Sequence, residues 1–449
     1  MTSVYANPVS ALQAEASRTS WWMVTVLFVM YVFSWVDRLI LSMLVTPIKA
    51  DLLLSDVQIS MITSTSFAIF YAVFGLPLGW AADRFSRRWI IFFGVILWAT
   101  ATIACGFADS YESLLGARIL VGVGEAALLP AAYSLISDGF SRDKLTIATS
   151  SFQMAGKVGS ATAFGLGGLA IAYATTFEGV DLPIHGPAEP WQLVLMMVGL
   201  PGFILAPLLF TFADPGRRRS PGAVGNEVLR GEVMAFIRGN WKLIVLMLIG
   251  TSCLAICGYS MSNWIPAYID RRFGWEPGEY GPALSAMNII AAASLVVNGW
   301  IVDRLFGRGM KDAHLRFYSW LILALMPVVA YMFFADNIYV FLACYAVAQF
   351  ITVPFMVYVS SIMALLAPSS IRARMLAMFL FVFTILGLGA GPAIVGALTD
   401  YVFRDEAKIG YSLAVVVITG TIVALVSFRV ALRYLGPAIS RNELAVKTA

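Results

Sequence analysis

The sequence is poor in charge, in histidine and in cysteine. Asp, Glu, Lys and Arg make up 12% of its 449 residues, against 60% hydrophobic residues, and there are two histidines and four cysteines. So little charge excludes an ordinary soluble globular protein. The cysteines all fall in apolar runs and, with two histidines, offer no metal-site spacing, so neither metal nor cofactor is expected. The absence of a Walker loop, an HExxH motif and a nucleophile elbow argues against an enzyme or an ATP-driven pump.

What the sequence has instead is a series of long apolar runs. Each is long enough to cross a bilayer core of roughly 30 Å as a helix. The N-terminus lacks a charged-then-apolar pattern with a cleavage site, so the first helix is expected to remain in the mature protein. The predicted fold class is an all-α membrane protein with twelve transmembrane helices, at 21–45, 58–82, 88–107, 112–137, 146–174, 191–213, 241–268, 280–303, 315–335, 338–366, 372–399 and 410–434.

Lysine and arginine are unevenly distributed over the loops between these helices. Basic runs follow helices 2, 4, 6, 8 and 10, whereas the opposite loops hold only Lys49, Arg271, Arg272, Arg404 and Lys408. Because short cytoplasmic loops carry an excess of Lys and Arg, both termini are predicted to be cytoplasmic. The net charge of +4 reflects this bias, so nucleic acid is not an expected partner. The expected location is the bacterial inner membrane.

One loop motif occurs twice. Residues 79–88 read GWAADRFSRR and residues 299–308 read GWIVDRLFGR, and each copy closes the second helix of one half of the chain. Such a repeat predicts two pseudo-symmetric six-helix bundles. Within the segment that joins them, EVLRGEVMAFIR is either a surface helix or an unstructured tether. The predicted division is a cytoplasmic segment 1–20, a bundle 21–213, a cytoplasmic linker 214–240, a bundle 241–435 and a cytoplasmic tail 436–449.

This organisation resembles the major facilitator superfamily over nearly the whole chain. The loop after helix 2 matches the G-x-x-x-D-R-x-x-R-R signature, except that Ser86 stands where the family usually has Gly. In the family this loop is a gate, and the resemblance implies that Asp83 meets the N-terminal end of helix 11 when the cytoplasmic side is shut. A solvated basic loop is the plainer alternative. The residues predicted to gate are Gly79, Asp83, Arg84, Arg87, Arg88, Asp138, Asp303 and Arg304.

Three further segments resemble the Spinster branch of that superfamily, namely WVDR at 35–38, ARILVGVGEA at 117–126 and LGLGAGPAIVGALTD at 386–400. Characterised Spinster proteins are associated with sphingolipid phosphates and lysophospholipids, which implies a lipid-like substrate. The anion:cation symporter branch shares the Asp-Arg pair and a GxGEA-like run. A proton-coupled symporter of small organic anions such as sugar acids is therefore the alternative.

Five ionisable residues fall inside predicted helices 1, 4 and 5. At about 1.5 Å per residue, Asp37 and Arg118 lie at a similar depth, while Glu125 and Lys157 lie near the midplane. We therefore predict that Asp37 pairs with Arg118 and Glu125 with Lys157, and that Arg38 can join either pair. Arg118 and Glu125 are seven residues apart and share one face of helix 4.

Charges at the bilayer centre cost about 2.5–3.5 kcal/mol each on insertion scales, so they need a reason beyond folding. Mutual neutralisation is the simplest reason. Three cations against two carboxylates leave one positive charge, which predicts an anionic or zwitterionic head group bound by Arg38, Arg118 and Lys157. Asp37 and Glu125 are predicted to couple transport to protons, because burial and a neighbouring cation shift the pKa of a carboxylate in opposite directions. Sodium in their place is an open alternative.

The second bundle has no obvious mid-span charge, only amides and many aromatic residues. An amphipathic substrate is predicted to place its tail there, although an ordinary packed interface fits equally well. The function predicted is a secondary active transporter that works by alternating access. A passive channel, scramblase or receptor would show no concentrative flux. Expected partners of a monomer are the lipid bilayer, protons and a small amphipathic substrate, and its candidate contacts are Tyr259, Asn263, Trp264, Gln349, Phe355, Tyr358 and Phe383.

Overall fold

The structure is a computed structural model that describes residues 8–177, 181–182, 186–217, 226–368 and 370–448. Within these ranges twelve helical stretches are long and apolar enough to cross a membrane, which agrees with the predicted all-α fold class. We number them helices 1 to 12; they run Thr19–Met43, Asp56–Arg84, Arg87–Cys105, Tyr111–Gly139, Ile147–Phe177, Pro190–Phe210, Gly231–Phe273, Pro277–Gly307, Ala313–Met332, Ile338–Leu366, Arg374–Phe403 and Glu406–Ile439.

A linker helix and helix 7 meet at Asn240. The helical segment Asn226–Phe273 consists of two helices joined across a kink at this residue, whose φ of −128° and ψ of 18° are not helical, so the helix after the kink begins at the predicted residue 241. The Asn240 amide donates to the Phe236 carbonyl at 3.1 Å, a local bond that competes with regular helix. Of the two alternatives for the linker, the structure therefore has a helix from Asn226 onward. Residues 218–225 of the linker and 1–7 of the N-terminal segment lie outside the described residues.

Helix 4 is interrupted directly after its glutamate. Its two parts run Tyr111–Glu125 and Leu128–Gly139. The amide of Ala127 bonds the carbonyl of Gly124 at 3.3 Å, a tightened turn. Pro130 follows, and because proline has no N–H it removes the helical donor for the carbonyl four residues earlier. Glu125 consequently ends the first part of the helix.

Contacts within the chain define two compact units. The first contains residues up to Leu44 together with the chain from Ile69 to the linker, and the second contains Val45–Ala68 together with the rest of the chain. The start of helix 2 therefore belongs to the second unit, although the sequence repeat places it in the N-terminal half. The division into two six-helix bundles, which was inferred from the sequence repeat, stays a prediction.

In the first unit, glycines allow neighbouring helices to approach closely. A Cβ atom on Gly124 of helix 4 would lie 2.7 Å from the backbone nitrogen of Trp98 in helix 3. A Cβ atom on Gly159 of helix 5 would lie 2.6 Å from the Cβ of Trp35 in helix 1. Small residues are typical of such contacts between membrane helices. Helix 4 therefore approaches helix 3 closely, and helix 5 approaches helix 1 closely.

In the second unit, two helices contain π-helical turns. These turns run Met61–Thr65 in helix 2 and Thr384–Ala390 and Leu398–Phe403 in helix 11. A π turn loosens the regular ladder of backbone hydrogen bonds, and such turns are frequent at functional positions. Hydroxyl groups of helix 2 bond backbone carbonyls of helix 11 in this region.

Candidate functional site

The buried carboxylate of Asp37 in helix 1 is paired with Arg118 in helix 4. Nη1 of Arg118 lies 3.1 Å from Oδ1 of Asp37, and both side chains are fully buried. Thr102 of helix 3 donates its hydroxyl hydrogen to Oδ2 of the same carboxylate. The predicted pair of Asp37 with Arg118 is therefore present, and Thr102 is a third member that the sequence did not indicate.

Glu125 is paired with Arg38, and the predicted pair with Lys157 is wrong. Both Nε and Nη2 of Arg38 lie 2.6 Å from Oε2 of Glu125, and the hydroxyl of Ser34 donates to the same oxygen at 2.5 Å. No described residue donates to the buried Oε1. Ser34 and Arg38 are four residues apart, so one face of helix 1 presents both to Glu125.

Lys157 of helix 5 is half-buried and has no ion-pair partner within the described part of the chain. It follows Gly156, where an added Cβ would lie 3.2 Å from the indole Nε1 of Trp35. This part of helix 5 therefore packs against helix 1 one turn from Arg38. Of the five ionisable residues predicted inside helices 1, 4 and 5, both carboxylates are thus held in ion pairs with arginines, and Lys157 has no acidic partner among the described residues.

Aromatic side chains surround the guanidinium of Arg38. Its Cζ lies 4.9 Å from the ring centre of Tyr71 and 5.6 Å from that of Trp35, within the range of cation–π interactions. Tyr31 stacks on Phe152 with ring centres 5.1 Å apart. The indole N–H of Trp35 is buried and donates to no described residue. These groups make an aromatic wall with a spare hydrogen-bond donor beside the paired charges.

The sequence indicates only some of the residues of this aromatic wall. Tyr31, Trp35 and Arg38 follow one another at helical spacings of four and three, so they share a face of helix 1. Tyr71 and Phe152 come from helices 2 and 5, and nothing in their spacing relates them to helix 1. Only the fold brings Tyr71 to Arg38 and Phe152 to Tyr31.

The basic residues of the signature loop are divided between buried and exposed positions. Arg87 is fully buried and bonds the carboxylates of Asp138 and Asp214. Arg88 donates to the carbonyl of Phe212 at 2.7 Å. Asp83, in contrast, is exposed and forms no hydrogen bond or ion pair with any described residue. Arg87 therefore joins helices 3 and 4 to the start of the linker, a role in which Asp214 was not predicted.

The repeated motif produces the same local contact in both halves of the chain. Cζ of Arg84 lies 4.1 Å from the ring centre of Trp80, and Cζ of Arg304 lies 5.4 Å from that of Trp300. Asp303 is exposed, as Asp83 is. Gly79 leaves room beside Pro130 of helix 4, since an added Cβ there would lie 3.6 Å from the Cβ of Pro130.

A profile of the Major Facilitator Superfamily matches residues 27–311. The chain belongs to this superfamily. An MFS-type efflux pump of Mycolicibacterium smegmatis is 29% identical over 405 residues, 86% of each chain. Protein spinster of Drosophila melanogaster is 28% identical over 267 residues, 59% of this chain and 41% of that protein. A D-galactonate transporter of Escherichia coli O6:H1 is 23% identical over 310 residues, 68% of this chain and 71% of that protein.

The fold of this superfamily member also matches a solved structure. The crystal structure of a bacterial homologue of the human lysosomal transporter Spinster, inward-facing and unoccupied, superposes with a TM-score of 0.76 at 20% identity, covering 94% of this chain and 97% of that one. The predicted resemblance to Spinster is thereby confirmed. The protein is a multi-pass membrane transporter related to Spinster, and its relatives are transporters and not enzymes.

In the second unit of this transporter, most candidate substrate contacts are engaged in packing. Trp264 is fully buried and donates its indole hydrogen to the Pro392 carbonyl at 3.0 Å. Asn263 donates to the hydroxyl of Ser64 at 3.0 Å. The hydroxyl of Tyr358 donates to the side-chain oxygen of Asn298 at 3.1 Å. A substrate role for these side chains remains a prediction.

The other four candidate contacts of the second unit differ in exposure. Phe355 and Phe383 meet edge to face, with ring centres 5.4 Å apart. Gln349 is buried, whereas Tyr259 is half-buried. Tyr259 lies against helix 11, since an added Cβ on Gly387 would be 2.9 Å from its ring. Of the set, Tyr259 and Phe383 retain the most accessible surface for a ligand.

Proposed function

We propose that this protein is a secondary active transporter that works by alternating access and couples an amphipathic anionic or zwitterionic substrate to protons. The observation that carries this function is the charge arrangement of the first unit. Asp37 and Glu125 are neutralised by Arg118 and Arg38 at 3.1 and 2.6 Å, while Lys157 has no acidic partner among the described residues. One negative charge is needed to balance the site, and a substrate head group supplies it.

Coupling between protons and substrate follows because the Glu125 carboxylate and the substrate anion compete for the guanidinium of Arg38. Glu125 holds Arg38 through Oε2 alone, and its Oε1 accepts no hydrogen bond from a described residue. A proton added at Oε1 makes the carboxyl neutral and weakens its attraction for Arg38. The guanidinium then becomes available to an anion. Proton binding and substrate binding therefore favour each other, and by linkage each strengthens the other equally.

The lipid-like substrate class is supported by the relationship to Spinster and by the amphipathic character of the chain's two halves. The candidate contacts of the first unit include the buried ion pairs of Arg38 with Glu125 and of Arg118 with Asp37, whereas the candidate contacts of the second are aromatic rings and amides. A lysophospholipid or sphingoid phosphate has a matching charged head and apolar tail. The similarity to a D-galactonate transporter favours a second candidate, a proton-coupled symporter of sugar acids. Trp35, with its spare buried donor, suits a hydroxylated anion.

Gating is proposed for the loop residues of both halves. Asp83 and Asp303 are exposed and Arg84 and Arg304 lie over tryptophan rings, so they are accessible for a contact formed when the predicted cytoplasmic side closes. Arg87, buried between two carboxylates, holds the base of this loop in place. Both termini are proposed to be cytoplasmic, in a bacterial inner membrane.

The test is concentrative uptake by the purified full-length protein in proteoliposomes. Vesicles with an inward-directed proton gradient receive labelled lysophospholipid, sphingoid phosphate or D-galactonate in separate assays. We expect one of the two amphipaths to accumulate above its equilibrium level, and accumulation to collapse when a protonophore is added. Accumulation of D-galactonate alone would select the sugar-acid alternative. Gradient-independent equilibration of every substrate would contradict proton coupling.

A further inference from the structure

An ion cluster of four residues ties the start of helix 2 to helices 7 and 12. Asp56 is fully buried, and its two oxygens accept one hydrogen bond each from Nη1 and Nη2 of Arg271, both at 3.0 Å. Lys49 donates to Oδ1 of Asp56 at 2.5 Å and lies 2.8 Å from a carboxylate oxygen of Glu406. We call Lys49, Asp56, Arg271 and Glu406 the outer ion cluster, because their loops lie opposite the basic, predicted cytoplasmic loops.

The outer ion cluster is balanced, with two cations and two carboxylates. Asp56 has lost contact with solvent, whereas the Glu406 side chain is 61% exposed. Separating the charges therefore requires a buried carboxylate and a nearly buried guanidinium to become hydrated together. Removing one partner alone leaves the other buried and uncompensated, which strongly disfavours the paired arrangement.

A second carboxylate holds the first turn of helix 2. Asp400, at the end of helix 11, accepts the backbone amide of Val57 at 2.8 Å and that of Asp56 at 3.2 Å. These are amides of a helix N-terminus, which lack partners within the helix and favour an anion. The approach is close, because an added Cβ on Gly396 of helix 11 would lie 2.7 Å from the carbonyl oxygen of Asp56.

Below the ions, hydroxyl groups of helix 2 bond the backbone of helix 11. Ser60 donates to the carbonyl of Pro392 at 3.0 Å, and Thr65 donates to that of Gly389 at 2.7 Å. Thr65 and Gly389 each lie in a π-helical turn, where backbone carbonyls are less regularly paired. Such neutral hydrogen bonds exchange readily for bonds to water. The ion cluster is therefore the costlier contact to open.

The chain segment that carries Lys49 and Asp56 belongs to a different unit from the residues before and after it. Leu44 and Ile69 belong to the first unit, whereas the segment Val45–Ala68 between them belongs to the second. Alternating access requires this segment to part from helices 7 and 11 when the outer side opens. We propose that the outer ion cluster is a latch that keeps the outer entrance shut, and that its rupture sets the equilibrium between outward-closed and outward-open states. This latch role rests on the alternating access proposed above.

The test measures access from the outer side, using Ser64→Cys as a reporter. Ser64 is buried and bonded to Asn263, so its thiol becomes reachable only when the segment parts from helix 7. The reporter is placed in a full-length background with the four native cysteines replaced by serine. Right-side-out vesicles are treated with a membrane-impermeant maleimide. Adding D56N or R271Q is expected to raise the labelling rate at least about fivefold, the lower end of typical coupling between sites.

Arg272 supplies a matched control beside Arg271. It forms an exposed ion pair with Asp336 at 2.7 Å, with side chains 48% and 92% exposed. Exposed pairs contribute little, so R272Q should leave the labelling rate unchanged. The variant E406Q removes the accessible member of the cluster and keeps the buried pair intact. It should raise labelling in the same direction but less than D56N.

Folding and function are separated by two further measurements. Each variant is checked for a single gel-filtration peak and for its thermal unfolding midpoint. If D56N does not fold, the labelling rate of E406Q, compared with that of the reporter alone, tests the latch. Folded variants whose labelling equals that of the reporter alone would overturn the latch. Faster labelling together with no accumulation of any substrate would support the latch and contradict the proposed function, because labelling reports opening and not turnover.

Discussion

Arg38 places two nitrogen atoms 2.6 Å from one oxygen of Glu125 and leaves the other oxygen without a hydrogen bond from any described residue. The neighbouring residue Asp37 is held by a different arginine, Arg118. Two adjacent residues of helix 1 therefore serve two ion pairs on helix 4. The pairs differ in that both oxygens of the Asp37 carboxylate accept hydrogen bonds from described residues, whereas only one oxygen of Glu125 does.

The variant E125Q should lose proton coupling and keep the substrate site. Glutamine has the shape of a protonated glutamate and cannot release a proton, so Arg38 stays available to the anion. We expect pH-independent substrate binding, no concentrative uptake on a proton gradient, and retained exchange of labelled for unlabelled substrate. Binding is measured between pH 5 and 8, and exchange by counterflow in proteoliposomes.

The matched control for E125Q is D312N. Asp312 forms an ion pair with Arg316 one helical turn later, with Nη2 of Arg316 2.5 Å from Oδ2 of Asp312. Both residues are far along the chain from the charged site. This variant should bind and accumulate substrate as the unmodified protein does. Uptake by E125Q that still follows the proton gradient would show that another group carries the proton.

The variant D37N should destabilise the fold more than it alters specificity. Arg118 is fully buried, and without the carboxylate its charge is left uncompensated. Breaking a buried pair in this way costs about 3–5 kcal/mol. Thermal unfolding in detergent should show a clear fall in midpoint, and T102V, which removes one hydrogen bond to the same carboxylate, should show a smaller fall of the same sign. An unchanged midpoint for D37N would mean that the pair contributes no net stability.

How far the sequence predicts this site can be judged on the two ion pairs. Seven-residue spacing correctly places Arg118 and Glu125 on one face of helix 4, and helical depth correctly pairs Asp37 with Arg118. Depth along the membrane wrongly pairs Glu125 with Lys157, because depth is a single coordinate and does not include the rotation of each helix about its axis. One residue along helix 1 rotates the side chain by about 100°. Arg38 therefore faces Glu125 while Asp37 does not.

The outer ion cluster shows a second limit of the sequence. The repeat assigns helix 2 to the N-terminal half, yet Asp56 bonds Arg271 and its backbone bonds Asp400, 215 and 344 residues away along the chain. No local spacing relates these residues. The twelve spans, in contrast, follow from composition alone, because a helix that crosses lipid must be apolar along its length.

The variant K157Q should weaken binding of an anionic substrate without harming the fold. Lys157 has no ion-pair partner among the described residues, so its removal breaks no internal pair. A charge-assisted hydrogen bond contributes about 1.5–3 kcal/mol, which corresponds to roughly tenfold or more in affinity. Binding is measured by titration calorimetry, with K144Q, at an exposed position in the first turn of the helical segment Arg142–Ala174, as the control. Equal affinities for K157Q and K144Q would remove Lys157 from the substrate site.

Two glycines of helix 4 offer a matched test of helix packing around the site. A Cβ atom on Gly124 would lie 2.7 Å from the Trp98 backbone nitrogen and 2.8 Å from the Gly94 carbonyl, whereas one on Gly116 would meet nothing within 4 Å. Backbone atoms cannot move aside, so G124A forces helices 3 and 4 apart. Overpacking of this kind costs about 1–3 kcal/mol.

G116A should instead be neutral or stabilising by up to about 1 kcal/mol, because alanine is the better helix former. The two variants add the same methyl group to the same helix, so a difference between their thermal unfolding midpoints isolates the close approach. G124A should also reduce transport, since moving helix 4 carries Glu125 away from Arg38, which it now meets at 2.6 Å. If G124A and G116A unfold at the same temperature and transport equally, helices 3 and 4 have room that the structure does not show, and the position of Glu125 does not depend on Gly124.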